Sequence, residues 1–186
     1  MIKVLTQKDL NKIEVDEGVV VVDLGETTER VLGPTRGGAK FTAKPTIRDI
    51  DYDGRRGKTK GLQVKDGEDV TLAIKTLCCS LENLQLAIPN ATVTENALTP
   101  GAFGLIKDTA YLANVAVISK NLDGSFTTIK LDSPMHEGDF TYECKPKSEN
   151  EHNLEFTGHY DALAETDAPI WSITNSTTNP IAIGTK

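Results

Sequence analysis

Short β-branched or alternating apolar runs, each closed by a glycine, proline or Asn/Asp turn, recur along almost the whole chain, and few segments carry helical spacing. Gly18-Val-Val-Val-Val22 is too short for a helix and reads as a strand, with Arg30–Leu32 placed to pair back on it. The glycine and proline density of Gly33-Pro-Thr-Arg-Gly-Gly38 reads as a loop. Ala39–Tyr52 follows with Phe41, Ile47, Ile50 and Tyr52 among charged neighbours. Pro45 within it suits an edge strand or a bulge, because proline brings no N–H to a ladder. Asp53–Gly61 is a basic, glycine-punctuated loop. Gly61–Lys65 and Asp69–Leu77 read as a hairpin about Asp66-Gly67, a favoured turn dipeptide.

Ser80–Ile88 is the best helix, with Ser80 as its cap, Glu82 in its first turn and Leu81, Leu84 and Ile88 on one face. Leu5–Ile13 has room for one or two helical turns capped by Thr6. Further strands are expected at Phe103–Ile106, Leu112–Ser119, Phe126–Leu131, Asp139–Cys144, Asn153–Tyr160 and Ala168–Ile173. Asn121-Leu-Asp-Gly124 is the turn between two of them. Strands in succession rather than alternating with helices predict a mostly-β sandwich or barrel with one short α-helix. The 186 residues suit a single domain spanning 1–186, with a flexible polar C-terminal tail expected at about 174–186.

The net charge of −7 opposes gripping nucleic acid over the whole surface. The balance is uneven, with thirteen basic against eleven acidic side chains over residues 1–66 and seven against sixteen over 67–186. Ten Lys/Arg lie between Arg30 and Lys65, facing only Asp49, Asp51 and Asp53. No run approaches the ~18–20 apolar residues of a membrane helix. Met1–Asp16 mixes lysine and acids through its apolar residues, unlike a secretory leader. Cys78, Cys79 and Cys144 are an odd number without framework spacing and read as free thiols.

Reactive groups are sparse. His152 and His159 stand seven apart, on opposite faces of an extended strand, so zinc is not expected; solvated surface histidines are the plainer reading for them and for His136. Cys78-Cys79 is not a C-x-x-C, and one of the pair is expected to face the core, as is Cys144. Asp49-Ile-Asp51-Tyr-Asp53-Gly54 spells the start of a calcium loop, but its twelfth position is Lys60 and cations fill its middle. Gly57-Lys58-Thr59 lacks the earlier glycine of a phosphate loop, since Tyr52 stands there. No catalytic residue, cofactor or metal is expected from these residues, and the chain does not read as an enzyme.

Several blocks together resemble the tail tube (major tail) proteins of long-tailed, non-contractile phages. They are Leu32-Gly-Pro-Thr-Arg-Gly-Gly38, Phe41 to Asp53-Gly54, Gly57-Lys-Thr-Lys-Gly61, the alternating strand through Thr71-Leu72, and Ser80-Leu-Glu-Asn-Leu84. The likeness is strongest over about residues 18–90; Glu155-Phe-Thr-Gly-His-Tyr-Asp161 and Pro169-Ile-Trp171 are similar to the closing strands of that family. The resemblance implies a β-sandwich subunit that assembles into stacked hexameric rings, a tube through which DNA passes without specific binding. It implies a place in the virion tail, with assembly in the host cytoplasm. The implied partners are the chain itself and the tape measure, distal tail and tail terminator proteins.

On that reading an acidic chain suits a lumen that repels DNA. The basic Arg30–Lys65 arm and the acidic remainder are suited to meet head-to-tail between rings, and Arg55, Arg56, Lys58 and Lys60 are the expected stacking contacts. Two other readings stand beside it: a monomeric β-sandwich binding module, which the 5% aromatic content disfavours, and a related secretion-type tube protein. A small hydrolase is the least supported.

Overall fold

The structure is a computed structural model, and it describes residues 6–14, 18–54, 56–144, 146–163 and 168–181. The elements among them run α1 Gln7–Asn11, β1 Val19–Val22, β2 Arg30–Val31, β3 Thr35–Asp49, β4 Gln63–Thr76, α2 Leu81–Gln85, β5 Thr92–Thr94 and β6 Ala97–Thr99. A 3-10 turn, Asp108–Ala110, precedes β7 Asn114–Lys120, β8 Phe126–Asp132, β9 Pro134–His136, β10 His152–Gly158 and β11 Trp171–Ser176. The chain is mostly β, as expected, with two five-residue helices rather than one helix of substance.

Two antiparallel sheets form the sandwich. One has the order β11-β8-β7-β1-β2 and the other β3-β4-β10-β9; β5 and β6 make a separate hairpin. The first sheet turns Val20, Val22, Val115, Val117 and Leu131 inward, and the second meets them with Val70, Leu72, Ile74, Leu154 and Phe156. Inward side chains fall on alternate residues of β4 and β10, the period of a strand with one wet face. β1 and β7 sit at the centre of their sheet and are buried on both faces, so Val21, Ala116 and Ile118 are buried as well. That is why the sequence there is a continuous apolar run rather than an alternation.

Both helix caps follow the sequence. Thr6 and Asp9 form a reciprocal capping box on α1, and the Ser80 hydroxyl accepts from Asn83 N–H at 3.3 Å on α2. The turn through Asn121–Gly124 joins β7 to β8, and β2 pairs with β1.

Four expectations are corrected. Asp66-Gly67 is not a hairpin turn: β4 runs straight through it, pairs with β3, and takes up the irregularity where the register slips between Thr46 and Ile47. The hairpin turn is instead the Ile50–Leu62 loop. Thr35–Gly38 belongs to β3 rather than to a loop, with a second slip between Thr35 and Ala39 absorbing the glycines. Neither Phe103–Ile106 nor Asp139–Cys144 is a strand; their alternating apolar residues face solvent or lie over a neighbour instead of pairing. The polar stretch read as a tail from 174 is extended and paired up to Ser176, since Thr174–Ser176 lie opposite Thr128–Phe126; residues 182–186 are outside the described ones.

Candidate assembly surfaces

The second sheet ends in two unlike edges. β3 is the outermost strand on one side, and at 15 residues it spans roughly 50 Å. Its free side is blunted by the devices that keep an edge from pairing indiscriminately: Pro45, two bulges and a run of cations. Arg36 pairs with Glu149 and Glu151 at 2.9 and 2.7 Å, and Arg48 grips Asp66 with two hydrogen bonds at 2.8 and 3.2 Å. Lys40 and Lys44 point to the sheet's solvent face, in register with Ala73 and Asp69. Among the described residues neither is in an ion pair.

The opposite edge is β9, only three residues long. The exposed segment that follows it carries Glu137, Asp139 and Glu143. One sheet therefore has a long basic edge and a short edge followed by acids.

The loop joining β3 to β4 is the second surface. Ile50 N–H closes it onto the Leu62 carbonyl at 2.9 Å. Arg56, Lys58 and Lys60 are all exposed on it, as the sequence led us to expect, whereas Arg55 lies outside the described residues. Ile47, Ile50 and Tyr52 lie beside the cations, 58%, 42% and 52% exposed. Sequence reasoning took these three as members of an alternating strand and missed them as surface; Ile47 lies near the end of β3, past the residues packed on the core, and Ile50 and Tyr52 lie beyond the strand in the loop.

The histidines and cysteines depart from expectation. His136 and His152 are buried, not solvated, and only His159 is partly exposed. His136 Nδ1 accepts from Glu155 N–H at 2.9 Å, and burial holds its pKa below the ordinary histidine value. His152 is covered by Phe140, stacked at 6.4 Å between ring centres, and by Tyr142 at 5.1 Å. Those two aromatics explain the alternation that reads as a strand at Asp139–Cys144: they strap over the end of the sandwich. His159 Nδ1 faces the Ser133 carbonyl at 3.2 Å and Nε2 faces Glu137 at 3.2 Å. Cys144 is exposed, because its segment pairs with no strand, and Cys78 and Cys79 are both half-buried. Among the described residues no cluster of His, Cys, Asp or Glu gathers with metal-ligand geometry.

No protein-family model and no curated protein matches the chain. Among solved structures, the chain is similar to one chain of a virion of a native gene transfer agent (GTA) particle, at a TM-score of 0.43 and 10% identity, over 85% of this chain and 95% of that one.

Proposed function

We propose that this chain is a structural virion protein, the subunit of a phage tail tube. Copies join side by side into hexameric rings, the rings stack, and DNA is delivered through the bore without being specifically bound. The observation that carries the reading is the second sheet. It is open at both edges, and the edges differ in length and charge. A contact between two different surfaces of identical copies is heterologous, and it either closes into a ring or runs on as a filament. Strand-to-strand pairing satisfies the free N–H and C=O groups of β3, while the acids after β9 meet Lys40 and Lys44.

The exposed β3–β4 loop supplies the second, axial contact. Apolar side chains beside a basic tip suit an interface with an apolar centre and a polar rim. The sequence likeness to tail tube proteins supports the same assignment. Its other partners would be the tape measure, distal tail and tail terminator proteins, and its place the virion tail.

The test is negative-stain electron microscopy with sedimentation velocity on the purified chain. Rings or hollow tubes are expected from the parent. Lys40→Glu with Lys44→Glu should leave only monomer, while Arg56→Glu with Lys58→Glu should give rings that do not stack. A parent chain that stays monomeric both alone and with a tube-initiating complex overturns the reading and favours a monomeric binding module.

A further inference from the structure

The chain contains three Asp-Gly dipeptides, Asp53-Gly54, Asp66-Gly67 and Asp123-Gly124. Such a pair is open to an internal reaction. A short acidic side chain reaches the backbone that follows it, and glycine puts no Cβ in the way. The fold treats the three pairs differently.

Two of them are locked. Asp66 and Gly67 lie inside β4, where Gly67 stands opposite Thr46 of β3, and Arg48 holds the two Asp66 carboxylate oxygens at 2.8 and 3.2 Å. At Asp123, Oδ1 accepts from the Ser125 N–H at 2.9 Å and from the Ser125 hydroxyl at 2.5 Å, while Oδ2 faces the Lys12 ammonium at 3.2 Å. The neighbouring nitrogen is engaged as well, since Gly124 N–H donates to the Asn121 carbonyl at 2.9 Å. Ser125 and then Lys12 also hold the Asp123 carboxyl below its ordinary range, in the ionised form that is hardest to attack.

The third pair is free. Asp53 and Gly54 make an exposed turn within the Ile50–Leu62 loop. Among the described residues, neither the Asp53 carboxylate nor the Gly54 N–H has a hydrogen-bond or ion-pair partner. Gly54 has a φ of +86°, and nothing lies within 4 Å of where a Cβ would stand. Room and reactive groups therefore coincide at this pair, at the kind of loop tip where chemical change is least resisted.

We propose that Asp53-Gly54 is a site of spontaneous isomerisation to isoaspartate, and that the fold confines this chemistry to one of three pairs alike in sequence. The Gly54 nitrogen attacks the Asp53 carboxyl carbon. A C–N bond forms, the carboxyl hydroxyl and the amide proton leave as water, and a cyclic succinimide remains. Water then reopens the ring. Addition at the side-chain carbonyl restores Asp53; addition at the main-chain carbonyl leaves the backbone running through the former side chain, with the α-carboxylate pendant. The water lost is regained, so no oxidant, metal or second protein is consumed. The modified loop carries Arg56, Lys58 and Lys60, but the reaction holds whether or not copies form a tube.

The experiment incubates the full-length chain at neutral pH and physiological temperature, at a concentration where sedimentation velocity shows it unassembled. Peptide mapping with electron-transfer fragmentation then quantifies isoaspartate at each pair, and methyl transfer by an isoaspartyl carboxyl methyltransferase checks the total. A locked pair reacts only in the fraction of molecules that open locally, so we expect at least about tenfold more isoaspartate at 53 than at 66 or 123. In urea that protection is gone, and the three yields should converge to within about threefold. Asp53→Glu, at an exposed position, should remove most of the methyl acceptor from the folded chain and leave the yields at 66 and 123 unchanged. Equal yields in the folded chain, or an excess at 66 or 123, overturn the proposal. So does an excess at 53 that persists in urea, because sequence rather than fold would then select the site. Absence of isoaspartate at 53 from the folded sample overturns it too, and none of these results bears on the tube.

Discussion

Trp171 reaches from one sheet to the other: its indole Nε1–H donates to the Glu68 carboxylate at 2.9 Å across the sandwich edge. Trp171 begins β11 and Glu68 lies in β4, 103 positions apart in sequence. The same ring packs on Phe41 with centres 5.3 Å apart. Trp171 and then Lys65 hold the Glu68 carboxyl below its ordinary range.

Trp171→Phe separates these two contributions, because it keeps an aromatic ring against Phe41 and removes only the donor. Glu68 retains Lys65 at 2.9 Å, so its carboxylate is not orphaned. The expected loss is modest, a Tm lower by about 2–4 °C. A Tm unchanged within error in differential scanning calorimetry would show that water replaces the indole donor at no cost.

Asn83 is expected to matter more than any other buried polar side chain near α2. Its Nδ2 donates to the Leu32 carbonyl at 2.8 Å and to the Cys78 carbonyl at 3.3 Å, and its Oδ1 accepts from Arg30 at 2.6 Å. It thereby fastens the helix to β2 and to the segment after β4. Asn83→Ala leaves the Leu32 carbonyl buried and unpaired, at about 2–3 kcal/mol. Urea unfolding followed by tryptophan fluorescence gives the value directly.

Stability should fall as acid is added well before the carboxylates titrate. Burial depresses the His136 pKa below 6.5, so the unfolded chain takes up that proton more readily than the folded one. The stabilisation is complete above about pH 6.5 and is lost as pH falls from there through the depressed folded value. Protonation at Nδ1 also removes the acceptor used by Glu155 N–H. NMR titration should place His136 below 6.5, and a midpoint above 6.5 would contradict the assignment.

If copies stack as proposed through the β3–β4 loop, that stacking should depend on salt. Arg56, Lys58 and Lys60 are exposed, and attraction between exposed charges weakens as the screening length shortens from about 10 Å at 0.1 M to 3 Å at 1 M. Tube length measured by electron microscopy should drop steeply over that range, and Lys58→Glu with Lys60→Glu should reduce it about tenfold at low salt. Tubes that lengthen with salt would instead assign stacking to Ile47, Ile50 and Tyr52.

The legible parts of the fold were those set by local chemistry. Ser80 and Thr6 announce their helices because a hydroxyl there answers backbone N–H groups that no turn of helix can satisfy. Pro45 announces an edge because it cannot serve a ladder on both sides. What the residues did not disclose was decided by distant partners. Asp66-Gly67 is favourable turn chemistry, yet β3 supplies a partner opposite Glu68 and Gly67 and draws the strand straight. Phe140 and Tyr142 alternate like strand residues, but their place is set by His152 lying beneath them. The surfaces were half legible: Arg56, Lys58 and Lys60 were readable from charge, while the exposure of Ile47, Ile50, Tyr52 and Phe103 depends on where β3 leaves the core and on loop path.

Strand order also sets a timetable. β1 pairs with β7, whose residues come some 95 positions later, and β8 gains its outer partner only with β11. At the ribosome's pace of about 5–20 residues per second, β1 waits roughly 5–20 s for its neighbour to be made. The β3–β4 hairpin needs no such delay, being continuous in sequence. It closes early with Phe41, Leu72 and Ile74 uncovered, and they stay so until β10 and the other sheet arrive. The β3–β4 hairpin is thus finished well before the strands that cover it are made, so in a crowded cell these hairpins meet one another while still half-clothed.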